Sequence, residues 1–356
     1  MRTVRTSPVY IDFTYISQMA VEGFVPSKHQ AAGHDGCLTS GAVFAKLTNQ
    51  QEIDFYESTA PPTEELPQGS HLSHWMPIYM GTLNEGVIEA DEQMTTIVAD
   101  EIKNIEEVKR KRPASDKKYI VLSNLYHGFL RPSILDIKLG KVLVDDTVSE
   151  EKKLRLDKVS ASTTSGSLHF RICGMKIHKA GDKPLPKIFP GMEKTVTEDE
   201  ESVSFDKFYG RSLTTANIDD GVDQFFAFVQ DKTQKKLLLN RFLQRLQLLY
   251  NCLLDTEVRI ISGSLFFVIE SDPQRWKEAL KDEKSYYALD PLLREYDEDE
   301  SDSDEENHLQ NLPLSSLHMI DFAHAKYTKS EGYDENIIVG VENLIGVFER
   351  LLQKCN

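Results

Sequence analysis

Pro132-Ser133-Ile134-Leu135-Asp136-Ile137-Lys138-Leu139-Gly140 reads P-x-x-x-D-x-K-x-G inside an apolar run. Strand side chains two apart share a face. The pattern therefore predicts a strand with Asp136 and Lys138 on one side and Leu135, Ile137 and Leu139 on the other. A carboxylate and an ammonium backed by packed aliphatics suit a polyanionic phosphate ligand. The ammonium neutralises charge, and the carboxylate orients a hydroxyl. Gly140 permits a tight exit or a close ligand approach. One Asp and one Lys also occur together on many solvated sheet faces, so the pair alone leaves both readings open.

Working outward, residues 119–122 read as a buried strand that runs into a connector at 123–131. Residues 43–46 read as a short strand and 52–56 as the start of a helix. Residues 58–70 hold Pro61, Pro62 and Pro67 and read as a loop. Downstream, 148–160 reads as a charged helix and 168–177 as a strand, with Leu168, Phe170 and Ile172 alternating. Residues 180–202, with Pro184, Pro186 and Pro190, read as a loop. Residues 233–256 form the clearest helix, with Leu239, Phe242, Leu246, Leu249 and Leu253 on one stripe. Residues 258–269 read as one buried strand containing Ser262 and Ser264. A last helix spans 335–352. Residues 1–28 read as a loose lead-in. This order predicts an α+β protein of two lobes: a largely antiparallel one over 29–125 and a larger mixed one over 126–356.

Net charge is −16 over 356 residues, and nine acids between Glu295 and Glu306 supply more than half of it. Residues 295–311 are expected to be a disordered acidic insertion. A global charge does not exclude an anionic ligand, because local cations focus the field at a site. No run of about 18 apolar residues exists, so no membrane insertion is expected. No secretory signal is visible. Cys37, Cys173, Cys252 and Cys355 show no metal-ligand spacing and are expected to be reduced thiols. Direct nucleic-acid binding is not expected. There is no G-x-G-x-x-G, H-R-D or D-F-G, and no G-x-x-x-x-G-K-[ST], which argues against an ordinary protein kinase and a P-loop kinase.

The full nine-residue pattern resembles the signature of the inositol polyphosphate kinases. Ile320-Asp321-Phe322-Ala323-His324 resembles that family's metal-binding segment, and Ser262-Gly263-Ser264-Leu265 its S-S-L-L box. Residues 31–36 (AAGHDG), 209–213 (YGRSL) and 332–335 (GYDE) add to the match, which runs from about Gln30 onward and most resembles the fungal multikinase branch. The resemblance implies a distantly protein-kinase-like fold with ATP between the lobes.

By this resemblance Lys46 contacts ATP phosphates and Glu52 orients it. An ordinary solvent-facing lysine and a helix-start acid are the alternatives. Asp321 sits among apolar residues, where a carboxylate needs a pairing partner or a metal. The resemblance makes it a Mg2+ ligand, with the Ser264 hydroxyl nearby. Gly263 and Phe266 depart from the family box. Val121, Ser123, Asn124 and Leu125 are expected around the adenine, although the family often has an acid where Ser123 stands. Asp136 is expected to orient ribose or substrate hydroxyls, and Lys138 to lie between substrate and transferred phosphate. Pro132, Gly140, Lys152, Arg155 and His324 are expected on the substrate side. Lys152 and Arg155 share a helix face if 148–160 is helical. Arg171 and Lys176 are weaker candidates.

The implied activity is ATP-dependent phosphorylation of inositol 1,4,5-trisphosphate to tetrakis- and pentakisphosphate. A single-step trisphosphate 3-kinase and a hexakisphosphate kinase are the near alternatives. A nuclear transcription-complex scaffold is the alternative of another class, served by Lys109-Arg110-Lys111-Arg112 and the acidic run. Expected partners are inositol polyphosphates, phosphoinositide headgroups and transcription regulators, and the expected location is nucleus and cytoplasm.

Overall fold

Short apolar runs at 43–45 and 119–122, and the apolar segment at 132–139 interrupted by Asp136 and Lys138, seed two separate antiparallel sheets. The computed structural model describes residues 25–27, 36–61, 66–83, 118–145, 148–180, 188–229, 232–279 and 314–355. The first sheet contains β1 (Val25–Pro26), β2 (Leu38–Ser40), β3 (Val43–Thr48), β4 (Tyr79–Leu83) and β5 (Lys118–Ser123), in the order β1-β2-β3-β5-β4. Helix α1 (Gln50–Ser58) leaves β3 through Asn49, whose side chain accepts from the Glu52 N–H at 2.9 Å. Such a cap contributes about 1 kcal/mol.

The second sheet is built on β6 (Pro132–Leu139), followed by α2 (Glu150–Ala161), α3 (Thr164–Leu168), β7 (Phe170–His178), β8 (Val196–Glu198) and β9 (Ser202–Phe205). Next come α4 (Lys207–Ser212), α5 (Ile218–Asp223), the long α6 (Lys232–Leu254), β10 (Val258–Ile260), β11 (Ser264–Glu270) and α7 (Pro273–Ala279). The described chain ends with β12 (Ser315–Ile320), β13 (Ala325–Tyr327) and α8 (Glu335–Lys354). Strand order is β12-β11-β6-β7-β9-β8, while β10 and β13 pair apart.

β6 has a strand on each side, so both its edges are paired, and apolar side chains pack on both its faces. Leu135, Ile137 and Leu139 enter the main core, and Ile134 packs with Phe266 and Val268 on the opposite face. This is the alternation read from the sequence. Phe242 of α6 and Phe348 of α8 meet Phe267 of β11 at ring-centroid distances of 5.1 and 5.7 Å. Ile53, Phe55, Ile120 and Leu122 from the first sheet and its helix join the same core. The two sheets therefore share one apolar interior.

Three expectations change. Residues 258–269 are two strands, because Ser262 takes a left-handed φ of +60° and breaks the ladder. Leu168 ends a short helix, not a strand, and His169 follows it at φ +56°. The span 180–202 is not only loop, because β8 and the start of β9 fall inside it. Most of the lead-in, residues 31–35, the basic run 109–112 and the acidic segment 295–311 lie outside the described residues. Among the described residues, no helix is long and apolar enough to cross a membrane.

Candidate active site

Between the two sheets lies a cleft of about 720 Å³, open to solvent. Phe44, Leu122, Leu125, Tyr126, Phe266 and Ile320 form its apolar wall, and Lys46, Asp136 and Asp321 line it as well. A flat apolar slot next to fixed charges suits a ligand with a ring at one end and phosphates at the other.

Lys46 rises from β3 between two carboxylates. Its Nζ is 2.9 Å from Glu52 Oε1 and 2.9 Å from Asp321 Oδ1. Burial pushes the ammonium down, but Asp321 and Glu52 outweigh it and hold its pKa above the ordinary lysine value. Glu52 is only 1% exposed. It also accepts from the Phe322 N–H at 2.8 Å and from the Thr48 hydroxyl. Glu52 thus ties α1 to the segment after β12, 270 residues away. Asp321 has a left-handed φ of +67°, which Asp tolerates better than most residues.

Asp136 and Lys138 share the cleft face of β6, as their spacing predicts. Across β11, Asp136 faces Phe266 and Lys138 faces Ser264; across β7, Lys138 faces Arg171. The Lys138 ammonium donates to Ser262 O at 2.6 Å. Burial and then Asp321 push Asp136 up to about 6, against the pull of Lys138, Ser264 and Arg171.

A folded-state value above the 3.8 of an ordinary aspartic acid means that folding favours the protonated acid. That stabilisation is complete below about pH 4 and is lost as pH rises through about 6, a change of roughly 3 kcal/mol at most. Asp136→Asn never ionises. Without ligand, the variant is expected to gain about 2–3 kcal/mol over wild type at pH 8 relative to pH 4. Urea unfolding of both proteins at the two pH values measures this, and a gap that does not change with pH sinks it.

The other expected site residues separate. Ser123 and Leu125 line the cleft, with Ser123 Oγ accepting from the Ile78 N–H at 2.9 Å. Val121 does not line it; successive strand residues face opposite ways, and Leu122 takes the place. Asn124 is absent from the lining too. Its side chain donates to Gly41 O at 2.8 Å and accepts from the Tyr126 N–H at 3.1 Å, which fixes the connector between the sheets. Pro132 pairs with Glu270 at the far end of β6, four residues or about 13 Å along the strand from Asp136. Gly140 has φ +94°, and a Cβ there would lie 2.4 Å from Asn336 Nδ2. The close approach it permits is to Asn336 rather than to a ligand. Lys152 and Arg155 are exposed on α2 and do not line the cleft. His324 pairs with Asp145 at 2.6 Å. Arg171 is buried and donates to Ser165 Oγ at 2.8 Å.

Among the described residues no three His, Cys, Asp or Glu side chains form a metal cluster. A divalent cation that keeps water and phosphate ligands needs only one or two carboxylates. Asp321 and Asp136 both line the cleft, and Asp136 Oδ1 and Ser264 Oγ are buried next to each other with no other hydrogen-bond partner. These oxygens fit such an ion. At Gly263, where the family box has serine, a Cβ would lie 2.6 Å from Ile260 Cγ2.

Phe44, Tyr126, Phe266, Ile320 and Asp145 are not among the site residues expected from the sequence. Phe266 carried a usable signal: it lies two residues beyond Ser264, on the same strand face. Asp145 carried none.

Residues 119–349 match the family described as inositol polyphosphate kinase. The inositol polyphosphate multikinase of Saccharomyces cerevisiae is 39% identical over 90% of this chain and 96% of its own. That of Schizosaccharomyces pombe is 28% identical over 91% and 96%. A solved structure of the inositol phosphate multikinase Ipk2 from S. cerevisiae in complex with ADP and Mn2+ superposes with a TM-score of 0.65 at 37% identity, covering 88% of this chain and 100% of that one. With Lys46, Asp136 and Asp321 gathered at one inter-sheet cleft, Lys138 two residues from Asp136 on the same face of β6, and matches of this length, the chain belongs to the inositol polyphosphate kinase family.

Proposed function

We propose that the protein is an ATP-dependent multikinase that converts inositol 1,4,5-trisphosphate to the tetrakis- and pentakisphosphate, with Mg2+ as its metal. The observation that carries this reading is Asp136 lining one cleft with Lys46 and Asp321, with Lys138 two residues along on the same face of β6. The apolar wall takes the adenine, and Lys46 binds ATP phosphates. Lys138 meets the transferred phosphoryl group, and Asp136 accepts a hydrogen bond from a ligand hydroxyl. Asp321 and Asp136, with Ser264 beside them, would hold the ion, which would supply neutralisation of the phosphate charge. Positioning and charge neutralisation are most of what phosphoryl transfer requires. Likeness to two multikinases over nearly their full length favours the multi-step enzyme over a single-step kinase.

Chromatography of products made from inositol trisphosphate and ATP tests this. Successive tetrakis- and pentakisphosphate peaks are expected, and a single terminal tetrakisphosphate would leave only the single-step reading. The exposed pair on α2 is the proposed phosphate-contacting edge. Lys152→Glu with Arg155→Glu is expected to raise KM for the inositol phosphate about tenfold and to leave KM for ATP nearly unchanged. Equal rises for both substrates would remove the pair from the substrate side.

A further inference from the structure

His324 Nδ1 and Asp145 Oδ2 lie 2.6 Å apart, with side chains 32% and 21% exposed. Asp145 belongs to the segment that leaves β6, and His324 to the turn between β12 and β13. The two segments are drawn together around Ser262. Lys138 Nζ donates to Ser262 O at 2.6 Å, Ser262 Oγ donates to Leu143 O at 2.8 Å, and Ile261 N–H donates to His324 O at 3.2 Å. These contacts bring the backbone at His324 next to the segment that anchors the Lys138 ammonium.

A carboxylate can only accept, so the proton of this contact sits on Nδ1. Nε2 is then the ring nitrogen left for a ligand. A carboxylate close to a bound polyanion repels it.

We infer that Asp145 is a positioning residue for the phosphorylated substrate, holding His324 with Nδ1–H turned inward and Nε2 turned to the inositol phosphate. This inference rests on the kinase reading above. It deepens that reading by giving the segment after β6 a second duty, which is to lock a ring that the β12–β13 turn supplies. A simple Coulomb effect and a positioning effect have opposite signs. Removing a repelling charge lowers KM for the inositol phosphate; removing a positioning partner raises it.

The test combines kinetics with the ring's own signature. Asp145→Ala is expected to raise KM for inositol trisphosphate about tenfold and to change KM for ATP less than about twofold. Asp145→Asn keeps an acceptor oxygen and is expected to restore most of the loss. In a His324→Ala background, Asp145→Ala is expected to add no further rise. Nitrogen-15 NMR of the ligand-free wild type is expected to find the Nδ1–H tautomer, which Asp145→Ala converts to Nε2–H. A lowered or unchanged KM in Asp145→Ala would overturn the inference, and so would an equal rise in the His324→Ala background. A wild-type ring already in the Nε2–H form overturns it without any variant having to fold. The tautomer is read with no turnover, so it stands or falls separately from the kinase reading, which fails only if the wild type leaves inositol trisphosphate unphosphorylated.

Discussion

Lys138→Ala is expected to lower kcat by roughly 10²–10³-fold, the range for loss of one fixed charge partner of a transition state. The side chain stands on the cleft face of a strand that is hydrogen-bonded on both sides, so its backbone position does not depend on it. Its ammonium donates to Ser262 O at 2.6 Å. Losing that contact costs about 1 kcal/mol of stability. Leu135, Ile137 and Leu139 stay packed behind the strand. The variant should therefore fold and bind nucleotide while failing in transfer. Single-turnover rates and a thermal melt check this together. Near-normal turnover in a folded Lys138→Ala protein would refute the role.

Asp321→Asn should have the second largest effect, a fall in magnesium-dependent ATP affinity on the order of 100-fold. The substitution is chosen for the backbone. Asn accepts a φ of +67° about as readily as Asp does, so the turn into Phe322 is kept. Lys46 keeps Glu52 at 2.9 Å, so the lysine is not left unpaired. What disappears is one negative charge beside Asp136. That loss relieves part of the repulsion that raises the Asp136 pKa and weakens the hold on a cation. Calorimetric titration of ATP with and without magnesium measures the change. Metal-free affinity should move little, and an unchanged magnesium dependence would show that Asp321 serves Lys46 alone.

Local patterns were readable because their period is a property of the chain itself. The two-residue repeat put Asp136 and Lys138 on one face, and the 3.6-residue repeat of α6 and α8 marked their buried stripes. Lys46, Asp321 and His324 could be singled out through short motifs, each read within a few residues. The partners of those residues could not be found in this way. Lys46 meets Asp321 across 275 residues, and His324 meets Asp145 across 179. The choice of Leu122 over Val121 depends on which face of β5 the second sheet covers, and Asn124 is taken by the backbone of a turn 83 residues earlier. The break at Ser262 depends on the same assembly, for its carbonyl holds Lys138 and its hydroxyl reaches Leu143. The sequence by itself determined which side chains face together along each element. Only the tertiary structure decided which elements face each other, because strand pairing and charge pairing act between segments far apart in the chain, where no local period reaches.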